Sequence, residues 1–287
     1  MNYFDTLPIE LLHEIADKSE PAYQAMLAYP RFARATTYDM RLDYRVRFGH
    51  DVCIDKDEII WTRNGTPHRL DGPAKQSVDC GNLWYRNGEL HRDNAPAVID
   101  VGGGALEWYR NGKIHRDDGP ARIENHGTFL IQWYRNDKLH RIGGPASVNV
   151  FYDIEFYMVW YRDGVIHRDD GPAVVNTECD SVCWYHNGKI HRDGDGPAAQ
   201  RNKRRVPERL EWYQDDVLHR EDGPAVIYMD GRMGFFQKGE EYAATPDTVF
   251  YTDCKKYRDE IRNIVAENEK ICRSDILQYR DALSAYQ

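Results

Sequence analysis

The chain has 287 residues, of which 41% are hydrophobic and 12% aromatic, and it carries a formal net charge of −9. A chain of this length and composition can bury a sizeable core, which excludes an intrinsically disordered protein. It has no run of about 18 apolar residues that could cross a bilayer, and its acidic balance is not that of a general nucleic-acid binder. We therefore expect neither a membrane nor a nucleic-acid partner.

The first segment of the chain has a helical pattern. Pro8 lies in a first turn, where proline is tolerated. The segment also lacks the basic start and the uninterrupted apolar stretch of a secretory signal, so we expect a protein that is not secreted. The apolar positions that follow a 3.6-residue period are Leu7, Leu11, Leu12 and Ile15.

A second helical segment follows directly. Ser19 is its predicted N-cap, Pro21 lies in its first turn, and its apolar positions run to Leu27. Pro30 ends this helix, and residues 32–48 predict one or two more.

From residue 58 to residue 240 the chain is a tandem repeat. A motif of the type WYRNGxxHRxDGPA occurs seven times, at intervals of 23 to 28 residues, and a degenerate eighth copy begins at Phe235. A single copy is too small to bury its apolar face, so stability must come from stacking on neighbours. Each tryptophan of the chain begins one repeat: Trp61, Trp84, Trp108, Trp133, Trp160, Trp184 and Trp212. A histidine stands seven residues after each: His68, His91, His115, His140, His167, His191 and His219.

The motif predicts a β-hairpin. Asn-Gly, as at residues 111–112, favours a type I′ turn, in which both central residues have positive φ. With this turn, Tyr109 faces Ile114 on one side of the sheet and Trp108 faces His115 on the other. Glycine permits, and proline stiffens, the turn at Gly-Pro-Ala. The expected fold is mainly β: an elongated antiparallel hairpin array, a solenoid or ribbon, with α-helical caps at both ends.

Two insertions interrupt the period, and insertions in repeat arrays usually form loops on one face. The aromatic insertion, residues 149–157, is either an edge that binds a partner or an extra packed strand. The basic insertion, residues 199–209, is an anionic contact, a nuclear localisation signal or a solvated loop. The candidate target-binding residues are Phe151, Tyr152, Phe156, Tyr157, Arg201, Lys203, Arg204 and Arg205.

The C-terminal segment predicts two amphipathic helices, at residues 253–270 and 274–286. A helical cap that seals the last β-repeat is expected for a solenoid. The predicted organisation is thus a helical segment at 1–50, seven to eight repeats at 58–240, and a helical cap at 246–287.

Catalytic residues are not expected. His-Arg followed by Asp, as at residues 115–118, suggests acid–base chemistry, but it recurs along the array whereas an active site is one convergent cluster. A histidine bonded to a nearby turn, with arginine paired to an aspartate, explains it better. Cys179 and Cys183 have no second pair to complete a zinc site. We therefore predict no metal and no cofactor.

Residues 58–240 resemble MORN-type repeats and, more closely, the variant MORN-like arrays of large DNA viruses and phages. The recurrent His-Arg and Gly-Pro-Ala depart from the standard MORN pattern. Residues 7–15 (LPIELLHEI) and 26–33 (MLAYPRFA) resemble an F-box, with Tyr-Pro-Arg in place of its Val-Cys-Arg-like segment. This resemblance implies binding of a Skp-type adaptor of a ubiquitin ligase through Leu7, Pro8, Leu11, Leu12, Ile15 and Leu27, in the cytoplasm or nucleus of a host cell.

Two functions follow as hypotheses. In the first, the N-terminal helices engage the host ubiquitin ligase and the array recruits an unknown target. In the second, the protein is structural or virion-associated, and those helices only cap the array. The sequence indicates neither the target nor the oligomeric state.

Overall fold

A computed structural model describes most of the chain, in two compact units. One contains residues 1–102 and 107–113 and the other residues 103–106 and 114–287; they are called the N-terminal and the C-terminal unit below. The described residues are 9–16, 20–27, 49–55, 57–100, 104–152, 154–203, 206–242 and 250–284.

The N-terminal unit begins with two short helices. Helix α1 spans Ile9–Ala16 and helix α2 spans Glu20–Leu27, directly after the predicted cap at Ser19. The two helices pack against each other, and four of their described apolar side chains are buried. These are Leu12, Ala16, Tyr23 and Met26. Both helices are as predicted; the role of a cap stays a prediction, and residues 32–48 lie outside the described part.

The second to seventh repeats each have a longer strand before the tryptophan, a hairpin of two-residue strands after it, and a further strand after Gly-Pro-Ala or, in the second repeat, Ala-Pro-Ala; in the first repeat the strand Glu58–Arg63 contains Trp61 and forms one arm of the hairpin. The pairings are antiparallel, and the β-structure of the described residues includes His50–Asp55, ahead of the first repeat. The longer strands are His50–Asp55, Glu58–Arg63, Lys75–Ser77, Gly81–Leu83, Val98–Asp100, Ala105–Glu107, Arg122–Asn125, Phe129–Gln132, Ser147–Phe151, Glu155–Val159, Val174–Asn176, Ser181–Cys183, Ala199–Lys203, Val206–Glu211, Val226–Tyr228 and Met233–Gly234. The hairpin strands are Thr66–Pro67, Tyr85–Arg86, Glu89–Leu90, Tyr109–Arg110, Lys113–Ile114, Tyr134–Arg135, Lys138–Leu139, Tyr161–Arg162, Val165–Ile166, Tyr185–His186, Lys189–Ile190, Tyr213–Gln214, Val217–Leu218, Phe236–Gln237 and Glu240–Glu241.

The hairpin register confirms the type I′ prediction, and the fifth repeat is representative. Tyr161 pairs with Ile166, and the backbone N–H of His167 donates to the Trp160 carbonyl at 3.1 Å. The turn residues Asp163 and Gly164 have φ of 51° and 86°, which is the geometry of this turn. The degenerate eighth repeat forms the same hairpin.

Consecutive repeats are joined by backbone hydrogen bonds. The Gly188 N–H donates to the Ile166 carbonyl at 2.9 Å, and the Arg168 N–H donates to the Tyr185 carbonyl at 3.2 Å. Within one repeat, the Trp160 N–H donates to the carbonyl of Ala173 at 2.8 Å. This alanine has no exposed surface in any of the seven repeats, so a larger side chain has no room there.

Both insertions lengthen strands, so the expectation of loops is wrong for their described residues. The aromatic insertion extends Ser147–Phe151 and Glu155–Val159, which pair over five residues. The basic insertion extends Ala199–Lys203 and Val206–Glu211, which pair across a bulge between Arg201 and Asn202. Alternating apolar residues in the first insertion add to the core, because side chains of a strand alternate between its faces.

The C-terminal unit ends in one helix, α3, over Phe250–Ser284. The prediction of two helices is wrong, because residues 250–284 contain neither proline nor glycine and Ser274 alone does not end a helix. The prediction that this segment seals the last β-repeat as a cap is also wrong. The contacts of α3 run along the repeats, from Tyr257 against Trp212 to Tyr279 against Trp133.

Candidate functional site

The tryptophan of the motif is covered, in six of the seven repeats, by the arginine that follows the motif histidine. In six repeats the guanidinium carbon lies 3.7 to 4.6 Å from the ring centroid, which is the geometry of a cation–π contact. The sequence predicted histidine opposite tryptophan. The two are indeed joined through their backbones, but the group on the ring is arginine. The pairs are Arg69–Trp61, Arg92–Trp84, Arg141–Trp133, Arg168–Trp160, Arg192–Trp184 and Arg220–Trp212.

The same arginine also donates hydrogen bonds to two groups of its own repeat. In the fifth repeat, Arg168 donates from Nε to Asp170 at 2.7 Å and from Nη1 to the Pro172 carbonyl at 3.3 Å. A Cβ on Gly171 would lie 3.0 Å from the guanidinium carbon. The glycine of Gly-Pro-Ala thus leaves room for the close approach of arginine, whereas the sequence suggested that it permits a turn.

The histidines link neighbouring repeats. Nδ1 of His167 accepts the backbone N–H of Asn187 at 3.0 Å, so its ring proton sits on Nε2, which donates to Asp169 at 2.9 Å. His91 and His115 have the same arrangement. In these three repeats the ring nitrogens bond to a nearby turn, as predicted, and the histidine joins one repeat to the next.

One group of side chains among the described residues has the spacing of metal ligands. His167, Asp169 and His186 each place one ligand atom within 4.8 Å of the others, and His186 stands where five other repeats have arginine. A metal-bound histidine normally carries its proton on the second nitrogen. Nδ1 of His167 instead accepts the Asn187 N–H, which leaves the ring proton on the nitrogen that faces Asp169. This tautomer is wrong for a metal ligand.

Helix α3 lies against three of these arginines, which we call the arginine row: Arg141, Arg168 and Arg192. Arg192 Nη2 contacts Glu260 Oε1 at 2.6 Å, and Arg168 Nη1 donates to Asn268 Oδ1 at 3.0 Å. Arg141 Nη2 lies 2.8 Å from Asp275 Oδ2, as an ion pair and not an aligned hydrogen bond.

The steps of helix and array match. Successive acceptors on α3 lie eight and seven residues apart, which is about 12 and 10.5 Å along a helix axis. One repeat adds two strands, about 9.6 Å at a strand spacing of about 4.8 Å. Two helical turns therefore advance α3 by about one repeat, and each arginine of the row meets its own helix residue.

Within the arginine row, α3 presents a carboxylate only to the arginines that have no acid two residues later in their own repeat. Arg168 already has a carboxylate two residues later, Asp170, and α3 offers it the neutral amide of Asn268. Arg141 and Arg192 have glycine at that position, Gly143 and Gly194. To these two arginines α3 presents carboxylates.

Aromatic and apolar contacts also hold α3 against the repeats. Tyr257 meets Trp212 edge-on, with ring centroids 5.8 Å apart, and donates its hydroxyl to the Asp195 carbonyl at 3.0 Å. Cys272 is buried, with Sγ 3.0 Å from Met158 Sδ, and burial raises the pKa of its thiol to about 12. The thiol therefore reports whether α3 is docked.

The predicted adaptor-binding face is only partly described. Leu12 is fully buried and Leu27 half-buried within the N-terminal unit. The side chains of Leu11 and Ile15 are not described, and Leu7 and Pro8 lie outside the described residues.

The predicted target-binding residues that the structure describes differ in exposure. Phe156 is buried, beneath the Arg273 guanidinium of α3 at 5.1 Å. Tyr152 is 86% exposed at the tip of its hairpin, Tyr157 is 38% exposed, and Phe151 is half-buried. In the basic insertion, Arg201 pairs with Glu211 at 2.8 Å; the side chain of Lys203 is not described, and Arg204 and Arg205 lie outside the described residues.

Sequence reasoning missed the residues of α3 that meet the arginine row. Two signals were present. In the fourth and sixth repeats glycine stands in place of an acid two residues after the arginine, and α3 has side chains at intervals of three, four, seven and eight residues that are buried in the array. The latter are Tyr257, Ile261, Val265, Asn268, Cys272 and Ile276.

No protein-family model matches the chain, and comparison with curated proteins also gives no match. Among the described residues, no helix is long and apolar enough to cross a bilayer.

Proposed function

We propose that the chain is a non-enzymatic protein–protein interaction scaffold. The observation that carries this proposal is the regular seat of α3: three stacked arginines hold a helix at steps that match the repeat. The structural use of His91, His115 and His167 also supports it, because their two ring nitrogens are engaged in clamps between repeats.

The specific form that we propose is a viral substrate adaptor. The F-box-like segment would bind a Skp-type adaptor of a host ubiquitin ligase in the cytoplasm or nucleus, and the repeat array would recruit the target. The support is the sequence resemblance, together with helices α1 and α2 at the places where it predicts them.

The test is a pull-down of the purified full chain with a Skp-type adaptor. The wild type should bind, and Leu11→Asp should abolish binding while the unfolding midpoint stays within a few degrees. Leu12 is unsuitable for this test, because it is fully buried and its replacement would unfold the helices. No binding by the wild type would contradict the adaptor function.

A structural or virion-associated role is the second candidate. The burial of Leu12, Ala16, Tyr23 and Met26 favours it, because these side chains serve the fold of the N-terminal unit. Recovery of the protein in fixed stoichiometry from purified particles, without adaptor binding, would decide for this role.

A further inference from the structure

We propose that the arginine row is a helix-binding site for a partner protein, with α3 as its resident occupant. The partner would be an amphipathic helix that presents a carboxylate, a neutral amide and a carboxylate at steps of eight and seven residues. This inference rests on the proposed scaffold function and names the class of partner.

The row is preorganised without α3. Arg141 and Arg192 each stack on a tryptophan and donate to a proline carbonyl of their own repeat, at 3.3 and 3.2 Å. Arg168 has the same contacts and Asp170 in addition. Removal of α3 therefore leaves the three guanidinium groups in place, and little ordering cost remains for an incoming helix.

The row also specifies a charge pattern. Because Arg141 and Arg192 are followed two residues later by glycine and not by an acid, they favour acids on the incoming helix. A third acid opposite Arg168 would share this guanidinium with Asp170, and the two carboxylates would repel each other. Specificity thus includes a repulsive element at the central position.

Open clefts flank α3. Two of them, of 410 and 540 Å³, lie beside α3, one at the fifth and sixth repeats and the other at the sixth and seventh. Both are lined by charged side chains, among them Arg192, Glu260 and Lys256. The contact between α3 and the repeats is therefore open to solvent at its edges, where side chains of an incoming helix can reach the arginines.

The experiment uses the full chain and a fluorescent synthetic peptide of residues 250–284. In the wild type, the attached α3 competes with the peptide. The chain variant Glu260→Lys/Asp275→Lys weakens its own helix, so we expect it to bind the peptide at least tenfold more tightly by fluorescence anisotropy. The milder variant Glu260→Gln/Asp275→Asn should bind with intermediate affinity if the lysine variant does not fold.

Matched peptides separate pattern from net charge. The peptide with Glu260→Lys/Asp275→Lys should not bind, whereas the peptide with Asp259→Lys/Asp281→Lys, which has the same net charge and is altered at exposed positions, should bind as the wild type does. Equal loss with both would overturn the proposal, as would no binding of the wild-type peptide to either folded chain variant.

Alkylation of Cys272 in the chain locates the binding. Excess peptide with Cys272→Ser should speed this reaction at least fivefold by displacing α3, while the exposed Cys53 and Cys80 react unchanged. Peptide binding with Cys272 still protected would place the site elsewhere and overturn the proposal. Failure of the adaptor pull-down would leave this result standing, so the two failures are distinguishable.

Discussion

The fifth repeat and its neighbours, the fourth and sixth, hold the same arginine in different ways. In the fifth, Asp170 of the repeat itself neutralises Arg168 and helix α3 adds only an amide. In the fourth and sixth, the repeat supplies no such acid, and Asp275 and Glu260 of α3 take its place. A residue that departs from the repeat motif thus marks a position where another element of the fold, here α3, supplies the missing ion-pair partner.

The largest expected effect comes from removing both helix carboxylates. Glu260→Ala/Asp275→Ala should lower the free energy of unfolding by about 3–4 kcal/mol, because each deletion leaves a partly buried guanidinium without its acid. The two sites are 15 residues apart, so their effects should add. Urea unfolding measures the change.

Asn268→Ala is the matched control for this double variant. Arg168 keeps Asp170, so the loss should be about 1 kcal/mol. An equal loss of unfolding free energy in Asn268→Ala and Asp275→Ala would contradict the idea that the repeat supplies the acid for Arg168 whereas α3 supplies it for Arg141.

Glycine before proline should be least replaceable where the arginine lies nearest. A Cβ at Gly196 would lie 2.3 Å from the Arg192 guanidinium, against 3.0 Å for Gly171 and Arg168. Gly196→Ala should therefore cost about 2 kcal/mol, and Gly171→Ala less than about 1 kcal/mol. Thermal unfolding of the two variants measures the difference, and equal costs would show that the glycine serves the turn.

The central helix position should reject an acid. Asn268→Asp loses the Nδ2 hydrogen bond to the Ile264 carbonyl, 2.7 Å long, and brings a carboxylate near Asp170. We expect a loss of about 1 kcal/mol in urea unfolding, and a smaller loss in an Asp170→Asn background. An equal loss in both backgrounds would mean that Asp170 does not set the preference.

The sequence predicted the hairpins and missed the helix seat for the same physical reason. Tyr161, the turn at 163–164 and Ile166 interact within a few residues, so local rules fix their register. The position of α3 depends on residues far apart in the chain, 68 positions for Arg192 and Glu260 and 100 for Arg168 and Asn268. Burial of Phe156 was likewise undetermined, because a run of aromatic residues is compatible with both an exposed edge and a packed strand.

The smallest change in the free energy of unfolding is expected at the position directly after the histidine-arginine pair. Asp117 accepts from His115 Nε2 at 3.0 Å, whereas the fourth repeat has at that position Ile142, which is 86% exposed. Ile142→Asp offers His140 the missing acceptor, and we expect a gain of about 0.5 kcal/mol in urea unfolding, since the pair is open to solvent. Ile142→Ala removes the same apolar surface without an acceptor and should change stability little. Equal gains from both variants would attribute the effect to the loss of isoleucine, and the acid after histidine would then contribute nothing measurable to the clamp.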